Sequence, residues 1–295
     1  MTALTRRAWQ ARADTHAERA DRLTAEHRDR ARRGEKHPVW DFLFTYYAYK
    51  PSQLRRWHPG AGVVLQDAAE RADWRWYSPG AVPGEVFPDA AAFRADKPEL
   101  AVLVERMLRR TASRPGQFGC FGLHEWAMVY RADEHRHPVP LRLGQEGTDA
   151  VVEANELRCT HFDAFRFFTP EAVPRNRLMP TRETQPALEQ PGCLHAGMDL
   201  YKWAMKLGPL IPGELLLDAF ELARDIRLLD MEAAPYDLSA WGVRPVPIET
   251  AEGKAEYVRR QRVFAERGAV MRERMLGAWL GADELTPAEG ASAVA

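Results

Sequence analysis

CLHAGMDLYKWAMKLGPLIPGELLLDAFELARDIRLLDME, Cys193 to Glu232, is the stretch whose reading decides the fold. Pro212 divides it. Proline is tolerated in the first turn of a helix, where its missing N–H has no partner to lose, so it opens a helix rather than interrupting one. Two helices are expected, Cys193 to Lys206 and Pro212 to Glu232. Further along, Thr250 to Leu280 carries its apolar residues on one stripe and reads as a long helix. Upstream, Pro98 opens ELAVLVERMLRRTASR, in which Leu100, Leu103, Val104, Met107 and Leu108 recur at helical spacing before Pro115-Gly116 closes the run. The fold expected is mainly α, a single compact helical domain.

Between these helices the signal changes. LRCTHFDAFRFF (Leu157 to Phe168) alternates like a strand yet is short and aromatic enough for a buried helix; of the two, one or two short β-strands are expected near residues 140–168. Pro79 to Pro98 holds four prolines and two glycines and reads as a long loop across a continuous core. HPVWDFLFTYYAY, His37 to Tyr49, is dense enough in aromatics to be buried on most sides, and Pro51 stops it. Residues 1–33 form an Ala/Arg-rich helical arm with Leu4, Trp9 and Leu23 as its only large apolar contacts, suited to an exposed partner contact. The globular domain then runs over 34–282, and 283–295 form a disordered tail.

Bulk composition excludes some roles. Of 295 residues 45% are hydrophobic, enough for a full core, while 41 Lys and Arg against 42 Asp and Glu leave no excess for gripping nucleic acid through phosphates alone. A DNA role needs a local basic patch. Cys120, Cys159 and Cys193 are odd in number and far apart, which fits a reducing compartment rather than a disulfide framework or a cysteine zinc site. No apolar run is long enough for a signal peptide or a membrane span, so a cytoplasmic protein is expected.

Histidine and acidic residues recur together in three apolar settings: His124-Glu125 in FGLHEWAMVYR, His161 and Asp163 in RCTHFDAFRFF, and His195 and Asp199 in CLHAGMDLYKWAMK. On a helix His195 and Asp199 share a face, and on a strand His161 and Asp163 do. Imidazoles and carboxylates facing one cavity transfer protons near neutral pH, and they also ligate divalent metals. His161, Asp163 and His195 have the residue types of a two-His-one-carboxylate iron or manganese site. The alternative is that each histidine is simply buried and held by its acidic neighbour.

Trp40, Tyr46, Tyr47, Tyr49 and Trp57, with Arg55, Arg56 and His58, can form either a stacking wall beside a basic rim or part of the core. Asp218, Glu221, Arg224 and Asp225 lie along one stripe of the helix from Pro212, either as a solvated face or with one carboxylate reaching the cavity. His135 and His137, in ADEHRHP, read as exposed and outside any site.

The strings GEKHPVWDFLFTYY, FGCFGLHEWAMVYR, RCTHFDAFRFFTP and EQPGCLHAGMDLYKWA resemble a group of actinobacterial-type proteins labelled 3-methyladenine DNA glycosylase, over Gly34 to about Arg267. The resemblance implies an N-glycosylase-like hydrolase that removes an alkylated purine from DNA without a cofactor. The flipped nucleotide needs an aromatic pocket, for which Trp40, Tyr46, Tyr47 and Trp126 are candidates, with Arg166 and Lys202 as further substrate contacts. Asp163 and Asp199 are the expected catalytic carboxylates, supported by His161, His195, His124 and Glu125. Ile211-Pro212-Gly213-Glu214-Leu215 is similar to the phosphate-binding turn of helix-hairpin-helix glycosylases, with Leu215 in place of its second glycine and Asp225 or Asp230 downstream as the acid. Two other readings stay open: a metal-dependent enzyme acting on a small molecule through His161, Asp163 and His195, and a non-catalytic binding protein.

Overall fold

The computed structural model describes residues 2–132 and 139–280, so His135, His137 and the tail lie outside the described residues. Its helices are α1 (Arg6–Arg33), α2 (Phe42–Thr45), α3 (Pro51–Leu54), α4 (Ala90–Asp96), α5 (Pro98–Ala112) and α6 (Leu123–Ala127). They continue with α7 (Gly144–Glu153), α8 (Phe162–Phe165), α9 (Gln185–Leu188), α10 (Leu194–Leu207), α11 (Gly213–Glu232) and α12 (Ala251–Leu280). Four short strands, β1 (Thr2–Leu4), β2 (Val63–Leu65), β3 (Tyr77–Pro79) and β4 (Val86–Pro88), form one sheet in the order β1-β2-β4-β3. The protein is mainly α with few strands.

Helices α10 and α11 form the central hairpin, joined by a single 3₁₀ turn at Gly208–Leu210 and opened again by Pro212. They approach so closely at Gly197 that a β-carbon there would sit 2.7 Å from Ile226 Cδ1. α12 packs across both and α5 packs on α12, which encloses one large core containing Met198, Leu200, Tyr201, Leu217, Phe220, Ile226, Tyr257 and Met275. Each such side chain contributes about 1.5–3 kcal/mol on burial. No helix among the described residues is long and apolar enough to cross a membrane.

Three local expectations change. The strands are not at 140–168, where there are only isolated bridges between Leu141 and Tyr236 and between Leu157 and Asn176. The alternating segment pairs with a side chain instead of a strand: Asn176 accepts from the Cys159 amide at 2.7 Å and donates to the Cys159 carbonyl at 3.0 Å. The chain then turns helical as α8. Conversely, the proline-rich stretch from Pro79 to Pro98 holds β4 and α4 as well as the end of β3. Pro79 is tolerated because β3 lies at the sheet edge, and Asp89 caps α4 by accepting from the Ala92 amide at 2.9 Å.

Third, α1 is not a free arm. Its buried residues Trp9, His16, Ala20 and Thr24 fall on one stripe. Small Ala and Thr side chains let it lie close on α11, where Arg12 meets Glu214 at 2.9 Å and Arg19 meets Asp218 at 2.8 Å. Arg71 anchors the same region, its guanidinium 4.6 Å from the ring centres of both Trp9 and Trp74.

Candidate functional site

The three histidine-bearing segments converge. α10 presents His195 and Asp199 on one face, four residues apart, as its period dictates. α6 delivers His124 and Glu125 from a turn in which Phe121 and Gly122 both have positive φ, 46° and 73°. Gly122 is suited to that conformation, and a β-carbon there would also press on Ala233 and Tyr257 at 3.3 Å. His161 stands just before α8. The ring centre of His195 lies 4.5 Å from that of His124 and 5.2 Å from that of His161.

Four buried carboxylates surround these rings. Asp230, wholly buried, faces His124 Nε2 at 2.9 Å and accepts from Arg227 Nη1 at 2.9 Å, while the same nitrogen donates to Glu125 at 3.4 Å. His161 Nε2 lies 3.2 Å from Glu189 Oε1 and 3.4 Å from Asp199 Oδ2. Asp199 accepts from Tyr47 Oη at 2.9 Å and from Lys202 Nζ. The atoms able to ligate an ion form two sets, His124, Glu125, His195, Asp230 and His161, Glu189, Asp199, each within 4.8 Å of one another.

Burying charge costs several kcal/mol per ion unless it is paired. Here Arg227 and Lys202 meet the carboxylates, and the histidines supply the rest. Burial works against a charged His161, but Glu189 and Asp199 overcome it and push its pKa up to about 10. Burial likewise opposes charge on His124, and Asp230 raises it all the same. His195 goes the other way: burial and the positive His124 beside it hold it well below the usual imidazole value, so it is neutral. Burial and the nearby Asp230 raise Glu125. Burial opposes the charge on Asp230 and Asp199, and their cations nonetheless hold both below the ordinary carboxylate range.

Two cavities flank the cluster, and His195 lines both. The first, of about 530 Å³, is walled by His124, His161 and His195 together with the free thiols Cys120, Cys159 and Cys193. The second, of about 460 Å³, is walled by Phe42, Tyr46, Phe167 and Tyr236 and carries Glu125, Asp163, Arg166 and Arg227. His195 makes no hydrogen bond among the described residues, leaving its ring nitrogens for a ligand.

The structure sorts the expected site residues. Asp163, Glu125, His195, Arg166 and Tyr46 share the aromatic cavity. Asp199 and Lys202 pair with each other and line neither cavity, so Asp199 is not placed to touch a substrate there. Tyr47 holds Asp199. Trp126 is fully buried, its indole donating to the Ala233 carbonyl at 2.8 Å, and Trp40 packs with Val39 and Tyr236; both belong to the core. Trp57, Tyr49, Arg55 and Arg56 also lie away from these cavities. The metal set His161, Asp163, His195 is not assembled, because α8 is helical and turns Asp163 to Arg166, 3.3 Å away.

On the α11 stripe the solvated-face reading holds, while the likeness to a phosphate-binding turn fails on geometry. Asp218, Glu221 and Asp225 face outward and bind Arg19, Arg274 and Arg267 of α1 and α12. The Pro212-Gly213 turn is covered: the Gly213 amide donates to the His58 carbonyl at 2.9 Å, and Trp57 and His16 lie within 2.8 Å of where its β-carbon would stand. Glu214 is taken by Arg12 and Trp57, so the turn presents no amides to a phosphate. Residues not singled out beforehand are Glu189, Arg227, Phe42, Phe167 and Tyr236. Only Glu189 carried a local cue, adjoining the Gln190-Pro191-Gly192 turn that leads into α10. Comparison with family models, with curated proteins and with solved structures finds no match to this chain.

Proposed function

We propose that the chain is an N-glycosylase-like hydrolase that releases an alkylated purine from DNA in the aromatic cavity. The observation that carries the chemistry is the neutral, unbonded His195 facing a cavity that also holds Asp163 and Glu125. The substrate class follows from the resemblance in sequence. A cavity of about 460 Å³ falls within the usual range for small ligands, ~300–1,000 Å³. Phe42 and Tyr46 stack face to face, ring centres 4.9 Å apart, and Tyr46, Phe167 and Tyr236 line the wall against which an extruded base would lie. Arg166 and Arg182, with side chains 41% and 66% exposed, pair with Asp163 at 3.3 and 3.6 Å and are the exposed cations nearest to it that could also meet a phosphate.

An alkylated purine is already cationic, so the C1′–N bond breaks with its electron pair passing to the base, which leaves neutral. The sugar is left oxocarbenium-like, and the Asp163 carboxylate stabilises it. Water adds to C1′ and gives its proton to neutral His195. Glu125, raised from the ordinary carboxylate range by burial and Asp230, lines the cavity beside the base edge.

Asp163→Asn and His195→Gln test the assignment. In single-turnover assays on alkylated duplex DNA, each variant is expected to lower the rate of base release by about 10²–10⁴-fold while melting near the wild-type temperature. Wild-type rates in both folded variants would refute it.

A further inference from the structure

His161 is 1% exposed, yet neither of its ring nitrogens has a hydrogen-bond partner among the described residues. A buried imidazole normally donates to an acceptor, and an unsatisfied polar atom costs about 1–3 kcal/mol. Acceptors are within reach, since Glu189 Oε1 and Asp199 Oδ2 lie 3.2 and 3.4 Å from Nε2. Their geometry is wrong for a hydrogen bond and right for something else. Two ligands ~2.0–2.2 Å from a common ion at 90–109° are separated by roughly 3.0–3.4 Å. Ligand atoms of the three residues all lie within 4.8 Å of one another.

We propose that His161, Glu189 and Asp199 form a divalent transition-metal site, separate from the hydrolytic cavity. One imidazole and two carboxylates suit a manganese or iron ion, which takes the place of the His161 proton and meets two negative charges once Lys202 turns to Asp163. Both carboxylates have further partners that orient them: Tyr47 donates to the other oxygen of Asp199, and Gln185 donates to Glu189 Oε1, the oxygen that faces His161. Lys202 competes for Asp199 Oδ2 but has another acceptor in Asp163 Oδ2, 3.6 Å away, so it can release that oxygen without losing a partner. His161 lines the three-histidine cavity, which gives an ion a path in and leaves room for water in the remaining coordination positions.

Mn²⁺ alone is the probe. Full-length protein is stripped with chelator, dialysed, and titrated with Mn²⁺ while the free ion is followed by electron paramagnetic resonance. One equivalent is expected to bind. His161→Asn and Glu189→Gln should weaken binding by about 100-fold or more, since loss of a mere supporting partner already costs ~10–100-fold. Glu125→Gln, in the neighbouring set, should retain it. Crystals of the wild type soaked in Mn²⁺ provide a measurement independent of variant folding, with anomalous density bonded to His161 Nε2 as the expected result. No binding at millimolar Mn²⁺, equal binding by His161→Asn and Glu189→Gln, or a bridging water alone at that position would overturn the assignment. Base release is measured separately, so failure of either proposal leaves the other readable.

Discussion

At the scale of single residues, the site is governed by charge compensation in a dry interior. Arg227 is the clearest case: its guanidinium bridges Asp230 and Glu125 and lies 3.9 Å from the ring centre of Phe42. Replacing it with methionine keeps most of the volume and strands two buried carboxylates. Removing one partner of a buried pair costs about 3–5 kcal/mol, so Arg227→Met is expected to lower unfolding stability by that amount in urea titrations at neutral pH. A change under about 1 kcal/mol would mean that the cluster is open to water and the charge argument is wrong.

The element scale shows how much the sequence could reveal. Helices α5, α10, α11 and α12 were legible from apolar spacing, helped in α5 and α11 by the prolines at their starts, and they emerge within a residue or two of the expected bounds. His195 and Asp199 share a face for the same reason. What could not be read is what packs from outside the local window. Leu157 to His161 alternates like a strand, but its pairing partner is the side chain of Asn176, nearly twenty residues on. Trp126 has the composition of a stacking residue, and only tertiary packing buries it. Glu189 and Arg227 entered the cluster because helix packing, not spacing, carried them there. The sheet with α1 was the least visible part, since its strands are three residues each.

That sheet region carries its own pH dependence. His58 bonds the Tyr77 hydroxyl at 3.0 Å, and burial, with Arg71 and Arg56 nearby, takes its pKa down to about 3. The unfolded chain binds this proton near pH 6.5, whereas the folded one refuses it until about pH 3. Stability contributed by His58 is therefore complete above pH 6.5 and falls as pH drops toward 3. A His58→Gln variant should lose less stability than the wild type between pH 6.5 and 4 in parallel thermal melts. Equal slopes in the two proteins would contradict the assignment of a neutral buried His58.

For the whole molecule, one helical core holds two cavities back to back, with a neutral histidine in the shared wall and a self-compensated acid cluster behind it. Near-zero net charge gives the chain no general electrostatic grip on DNA, so the proposed function requires that recognition rest on the cavity and the arginines beside it. An extruded alkylated base in that cavity is the central claim. Its most direct test is release of free 3-methyladenine from alkylated duplex DNA by wild-type protein in large excess over lesions. Release is expected to be complete, saturating in protein, and lost when Asp163 is replaced by Asn. Intact alkylated DNA after incubation with folded protein, at any concentration tried, would contradict it.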